Sequence, residues 1–233
     1  MAAGLGGGFI NTLAGGGSVL TLPALEFVTG SPSVANATNR IAILLQNVAA
    51  VQGFGKTLDR RLAIRAAIPF ILGAACGAYV ASILSADSMR VALSIAVALV
   101  AVSAILKPPR TPPLRGPWVG LAFWGAGFYA GFLQAGVGFL LLAVLAGGLA
   151  LDLVKANAVK VFIVLLGTIP TLLIFGLKGQ LWIVHGLVLA CGNMTGAAIA
   201  SRLAVRKGAA WVRYVVVVAA CLAIAKLLFF PSR

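Results

Sequence analysis

Acidic residues are almost missing: the chain has 4 Asp and Glu against 18 Lys and Arg, and a single histidine. So small a stock supplies no paired acids, no Ser/His/Asp set and no cluster of metal ligands, and no P-loop occurs. The sequence therefore reads as a non-enzyme with no cofactor and no metal. Charge of either sign is scarce, at 9% of residues against about 25% in soluble domains, while 61% are hydrophobic and mean hydropathy is +1.09. Such a chain cannot cover a water-facing surface, which excludes a soluble domain. The three cysteines, Cys76, Cys191 and Cys221, sit inside apolar runs without metal-ligand spacing. They are expected to be small packing residues. The surplus of +14 lacks the aromatic interleaving of a nucleic-acid surface, so no nucleic-acid partner is expected. It falls between apolar runs, where basic residues set topology against an anionic lipid face. The opening Met1 to Gly8 has no basic n-region, so no cleavable signal peptide is expected.

What the chain has is apolar runs. A helix crossing the hydrocarbon core needs about 20 apolar residues, and hydropathy gives eight blocks, 2–29, 34–55, 63–84, 88–106, 117–151, 153–176, 181–204 and 209–230. The proline-rich stretch 107–117 is the one real linker, dividing a first membrane repeat, 1–106, from a second, 118–233. A shift of 121 residues lays Ala14-Gly15-Gly16-Gly17 on Ala135-Gly136-Val137-Gly138 and Ala35-Asn36-Ala37 on Ala156-Asn157-Ala158. A shift of 119 lays Gly73-x-x-x-Gly77-Ala78 on Gly192-x-x-x-Gly196-Ala197. The expected fold is an all-α membrane protein of two tandem repeats, four blocks each, an architecture that many secondary transporters share.

Charge decides how the repeats face. Eight simple crossings split the 18 basic residues 10 to 8, almost no bias. If the first and fifth blocks each break at their glycines and return to the side they came from, thirteen collect on one side. Only Arg40, Arg90, Lys178, Lys226 and Arg233 then remain opposite. That bias favours inverted repeats with a broken first block in each and both termini outside. Exposed backbone at membrane depth is tolerated only where it lies in protein or lines a polar cavity, so the two turns should meet at a site.

Glycine turns that open helices present free N–H groups and the positive end of a helix dipole, which favours an anion. Gly15, Gly16 and Gly17, with Gly136 and Gly138, are candidate ligands on that ground. Gly73, Gly77, Gly192 and Gly196 read instead as small-xxx-small packing. Asn11, Ser18 and Gln134 flank the turns. Asn36, Asn39, Arg40, Asn157 and Lys160 open the second and sixth blocks and complete the candidate set, although Asn36 and Asn157 suit helix caps at least as well. Arg40 and Lys160 are ionisable groups inside a span, so each is either functional or snorkels to headgroups. Asp59, Asp87 and Asp152 read as solvated partners of neighbouring cations. Glu26 reads as an interfacial acid rather than a proton carrier, and His185 as an interfacial residue beside Trp182.

The run Gly8-Phe9-Ile10-Asn11-Thr12-Leu13-Ala14-Gly15-Gly16-Gly17-Ser18, followed by Leu22-Pro23-Ala24-Leu25, resembles the opening motif of the TauE/SafE family. Gly127-Phe128-Tyr129-Ala130-Gly131-Phe132 and Ala135-Gly136-Val137-Gly138-Phe139 resemble its repeated motif. Val137 departs by interrupting the second glycine run. The resemblance implies a multi-pass inner-membrane permease exporting sulfite, sulfonates or related sulfur oxyanions. The reading is then a secondary transporter whose partners are a small anion and the lipid bilayer. A coupling ion (proton or sodium) and a homo-oligomer stay open. The alternative is a passive, aquaporin-like channel in which half-helix ends line a continuous path.

Overall fold

The computed structural model describes residues 1–105 and 114–229, so most of the expected linker, with Lys107 and Arg110, lies outside the described residues. Among the described residues there is helix and connector and no strand. The helices are α1 (Ala2–Leu13), α2 (Ser18–Thr29), α3 (Pro32–Phe54), α4 (Arg60–Ser82), α5 (Ala86–Ile105), α6 (Pro117–Phe132), α7 (Val137–Leu142), α8 (Leu153–Leu177) and α9 (Ile183–Phe229). A wider π turn, Ala143–Gly148, extends α7. Arg60–Ser82, Leu153–Leu177 and Ile183–Val218 are long and apolar enough to cross a membrane.

Local chemistry sets the boundaries. Gly30, in the left-handed region at φ 66°, ends α2, and Ser31 starts α3 by accepting the Val34 N–H at 3.4 Å, with Pro32 in the first turn where its missing N–H costs nothing. Asp59 accepts from Leu62 N–H at 3.0 Å to open α4, and Asp152 accepts from Val154 and Lys155 N–H at 3.0 and 3.1 Å to open α8. Two of the acids read as solvated partners are therefore helix caps; Asp152 also pairs with Lys155 at 3.8 Å, and Asp87 pairs with Arg90 at 3.5 Å. The blocks 181–204 and 209–230 form two helical segments of α9 that meet in a kink at Gly208, φ 79°, where the backbone leaves the helical region, and Trp211 then comes edge-on against Phe9.

The bundle is small inside and large outside. Alanines fill the interior with Phe54, Phe70, Phe123 and Phe175, while Ile64, Ile68, Leu72, Leu173, Ile183 and Val184 face outward. That inversion suits a hydrocarbon solvent, where close approach of backbones replaces the hydrophobic effect between helices. Cys76 and Cys191 lie on the outward face rather than in the packing, which corrects the expectation for them; Cys221 lies among residues whose side chains are not described.

Contacts exchange between the halves. Helix α1 packs along α9 as α6 packs along α4, and α3 meets α9 and α8 while α8 meets α4. A Cβ on Gly192 or Gly196 would strike the backbone of α1, and one on Gly73 or Gly77 the backbone of α6. The packing role expected of these four glycines is the one they have.

Both broken blocks fold back. Gly17 and Thr21 of the return lie against Gly7 of α1. The Leu114 N–H, just ahead of α6, donates to the Gly148 carbonyl at 2.9 Å, closing the second excursion where it began. One apolar cluster joins Phe54, Val154, Ala204 and Val212, with Leu58 and Ala209 packed on it, at one end of the bundle. Another joins Ala37, Ala81, Met89 and Phe175, with Leu181, at the opposite end. Arg60 and Arg206 thus flank the same cluster. With Lys56, Arg202 and Lys207 beside it as well, this is the basic end of the bundle.

Candidate functional site

The two helix breaks meet. The Ala14 and Gly15 N–H groups both close on the Ile10 carbonyl, at 2.7 and 3.2 Å, and Gly15 at φ 82° turns the chain out of α1. The Leu133 and Gln134 N–H groups likewise close on the Tyr129 carbonyl, at 2.9 and 3.3 Å. There two residues take the left-handed region, Gly136 at φ 75° and Gln134 at φ 58°. For a side chain as large as glutamine that conformation is strained. Gly15 and Gly138 touch backbone to backbone, so a Cβ on either would collide with the other. Gly16 faces the Phe139 ring and Gly17 the Gly7 carbonyl.

Each break leaves donors over. Among the described residues, the N–H groups of Gly16, Gly17, Ser18, Gly136 and Gly138 have no acceptor. Gly17, Ser18, Gly136 and Gly138 are buried. Buried N–H groups without partners are rare and costly, and they mark a place for water or an anion.

The cations sit behind the breaks, and neither snorkels. Lys160, on α8, is 2% exposed and donates through Nζ to the Asn11 carbonyl (3.1 Å), the Thr12 carbonyl (2.8 Å) and Asn157 Oδ1 (2.6 Å). Arg40, on α3, is 1% exposed; Nη1 donates to the Ala130 carbonyl (2.8 Å) and Gln134 Oε1 (2.7 Å), and Nη2 to the Gly131 carbonyl (2.6 Å). Its guanidinium carbon lies 4.9 Å from the centre of the Phe175 ring. Each cation thus closes the C-terminal carbonyls of the broken helix in the other half, where the dipole is negative. Asn36 donates to the Phe132 carbonyl at 3.0 Å, adding to the same end of α6. The capping reading of Asn36 and Asn157 is corrected: Ser31 and Asp152 cap their helices, and both asparagines lie deeper, at 1% and 0% exposure.

Two narrow clefts adjoin this centre. The first is lined by Asn11, Gly15, Asn47, Gln134, Val137, Gly138, Lys160 and Val164, and has about the room of one water. The second, lined by Arg40, Phe70, Gln134, Val164, Thr168 and Thr171 among others, is closed still further. Gln134 and Val164 belong to both. Asn39 and Ser18 lie to one side: Thr21 Oγ1 donates to Asn39 Oδ1 at 2.9 Å, and Asn39 Nδ2 to Ser18 Oγ at 3.5 Å. Glu26 lies away from the centre, half-buried and 3.9 Å from Arg90, and His185 packs on Trp182. Among the described residues no three His, Cys, Asp or Glu side chains come together in a way that could hold a metal ion.

Sequence reasoning missed Asn47, Gln46, Asn193, Thr168 and Thr171, all buried. The signal for two of them was present: Gln46 and Asn47 follow Asn39 and Arg40 by seven residues, two helical turns down the same faces. Asn193 donates to Gln46 at 3.0 Å from a different helix, a pairing that no local spacing announces.

Comparison with known proteins places this arrangement. The family model described as sulfite exporter TauE/SafE matches residues 1–227. The probable membrane transporter protein YfcA of Escherichia coli K12 is 31% identical over 233 residues, 95% of this chain and 86% of that protein. The probable membrane transporter protein ORF9 of a Sinorhizobium species is 28% identical, covering 97% and 90%. A probable membrane transporter protein of Haemophilus influenzae is 26% identical, covering 95% and 90%. No solved structure matches.

Proposed function

The chain belongs to the TauE/SafE family of membrane transporters, and from that premise we propose that it is a secondary transporter of a small anion, a sulfur oxyanion or organosulfonate. The observation that carries this reading is the contact of the two glycine breaks, Gly15 against Gly138, beside a cleft that both line together with Lys160 and close to N–H groups without acceptors. Partial charges at the helix starts, each end about half an elementary charge, add to two whole ones held close by. No carboxylate opposes them among the described residues. Asn11, Asn47 and Gln134 supply the neutral amides around the anion. The cleft is too small for sulfite as it stands, so loading requires the halves to move against each other. In this proposal the halves are inverted repeats that rock about the paired breaks, giving alternating access.

The test is a thermal-unfolding screen of purified protein with sulfite, thiosulfate, sulfoacetate, taurine, sulfate and bicarbonate, followed by flux in proteoliposomes. A cargo held by the native state alone stabilises by about 2.7 kcal/mol at a hundred times its Kd. The expected result is a shift with at least one sulfur oxyanion or sulfonate, and counterflow of that anion. No shift and no flux with any of the six would overturn the reading, and flux linear in gradient without counterflow would make the protein a channel.

A further inference from the structure

The cleft beside Arg40 is a different matter from the one beside Lys160. It lies on the other side of Gln134 and Val164, toward the end of the bundle opposite the basic end, because Arg40 sits two turns into α3 from that end. Arg40 commits both Nη atoms to carbonyls and to Gln134, yet its Nε is fully buried and has no partner. Two hydroxyls line the same cleft. Thr168 donates to the Val164 carbonyl at 2.6 Å and Thr171 to the Thr168 carbonyl at 2.7 Å, both acceptors within their own helix. A hydroxyl gives up such a bond by rotating about one torsion, since that carbonyl is already served by the helix ladder. The cleft is closed by Phe70, whose ring fills the notch that Gly167 leaves: a Cβ there would strike it.

We propose that the Arg40 cleft is a second anion subsite, with Arg40 Nε and the Thr168 and Thr171 hydroxyls as donors, reached from the Lys160 cleft past Gln134. The inference rests on the anion-transport reading and gives it a path. Lys160 lies two turns into α8 from the basic end and Arg40 two turns into α3 from the opposite end, so the two subsites stand in series across the membrane. Gln134 lines both and is tied to Arg40, and its strained backbone makes it the element that must shift when an anion passes. The recognised chemistry is a tetrahedral or pyramidal oxyanion, or a sulfonate, whose several oxygens accept from one charged and two neutral donors.

The test uses cysteines at positions 168 and 171, introduced singly as Thr168→Cys and Thr171→Cys in a protein whose Cys76, Cys191 and Cys221 are replaced by Ser. Each is treated in proteoliposomes with two methanethiosulfonates of equal length, one carrying a sulfonate and one a trimethylammonium group. The expected result is modification at least tenfold faster by the sulfonate reagent, slowed at least threefold by sulfate or sulfoacetate, neither of which attacks a disulfide. Equal rates, a preference for the cation or absence of protection at both positions would overturn the subsite. So would lack of reaction at both in protein that still runs anion counterflow. If neither cysteine variant elutes as a folded species, Thr168→Val and Thr168→Ser replace them: flux must fall tenfold in the first and stay within twofold in the second. Counterflow in the wild type with unselective cysteines defeats the subsite alone, whereas selective cysteines without wild-type counterflow defeat the transport reading.

Discussion

Arg40 and Lys160 carry full charges into an interior where no carboxylate meets them among the described residues. Each is held instead by the orphan carbonyls of a helix that ends in mid-bundle. The arrangement answers two needs together, since those carbonyls would otherwise be buried without donors and the cations without acceptors. It also means that the charge faces the cleft while its hydrogens are spent elsewhere, so an anion at the breaks feels Lys160 mainly as a field. Lys160→Gln should therefore do two separable things. Ligand-free stability should fall by about 2–4 kcal/mol, because three bonds from a charged donor are each worth about 1.5–3 kcal/mol but remaining partners relax. Binding of the best anion from the screen should weaken about 10- to 150-fold, the equivalent of about 1.5–3 kcal/mol. Arg40→Gln should show the same pair of effects, with the smaller loss of affinity because Arg40 stands behind Gln134 from the breaks. Thermal unfolding without ligand, and titration of each variant, measure the two effects independently. Unchanged stability would deny the capping role, and unchanged affinity would mean that backbone dipoles suffice.

At the level of elements, glycine does two jobs that the sequence presents in the same letter. Gly15 and Gly136 turn the chain at positive φ, and Gly127 and Gly131 let α6 lie on α4 with backbone against backbone. Others, Gly120 and Gly125 among them, meet nothing within 4 Å of where a Cβ would stand. The spacing alone separates these classes only in part, because Gly125 and Gly127 sit on one helix two residues apart and face opposite ways. Gly125→Ala should be neutral or stabilising by up to about 1 kcal/mol, the helix-propensity difference. Gly127→Ala should destabilise by about 1–3 kcal/mol, since the added methyl must displace the Phe70 backbone in a packed interface. Paired unfolding curves in one detergent check the contrast, and equal effects would mean that α4 and α6 are not in the contact described. The glycine breaks, by comparison, were legible beforehand: three consecutive glycines interrupt a 28-residue apolar block too long for one crossing and too short for two. What the spacing could not tell was that Gly15 and Gly138, rather than equivalent positions of the two turns, would touch.

On the scale of the whole molecule, topology follows from one asymmetry, the uneven placement of basic residues along an almost acid-free chain. Much of the outline was readable from it, since each apolar block became a helix or a helix pair near its expected bounds. The polar interior was less readable, because Asn193 and Thr171 are buried at positions that no motif or repeat match in the sequence marks. The apolar clusters now add an independent constraint. Phe54, Val154 and Ala204 meet in one of them, so the basic residues that flank those positions, Lys56, Arg60, Lys155, Arg202 and Arg206, share an end. Arg90, next to Met89, belongs to the opposite end. An excess of Lys and Arg marks the cytoplasmic side of short loops, so the basic end should face the cytoplasm. Single cysteines at positions 60, 206 and 90, in protein lacking the native three, test this with a membrane-impermeant maleimide on intact cells. Positions 60 and 206 should label only after permeabilisation, and position 90 before it. Labelling of 60 and 206 from opposite sides would contradict the fold itself. Labelling of both from outside would keep the fold and reverse the molecule, which would place the Arg40 cleft, rather than the Lys160 cleft, nearer the cytoplasm.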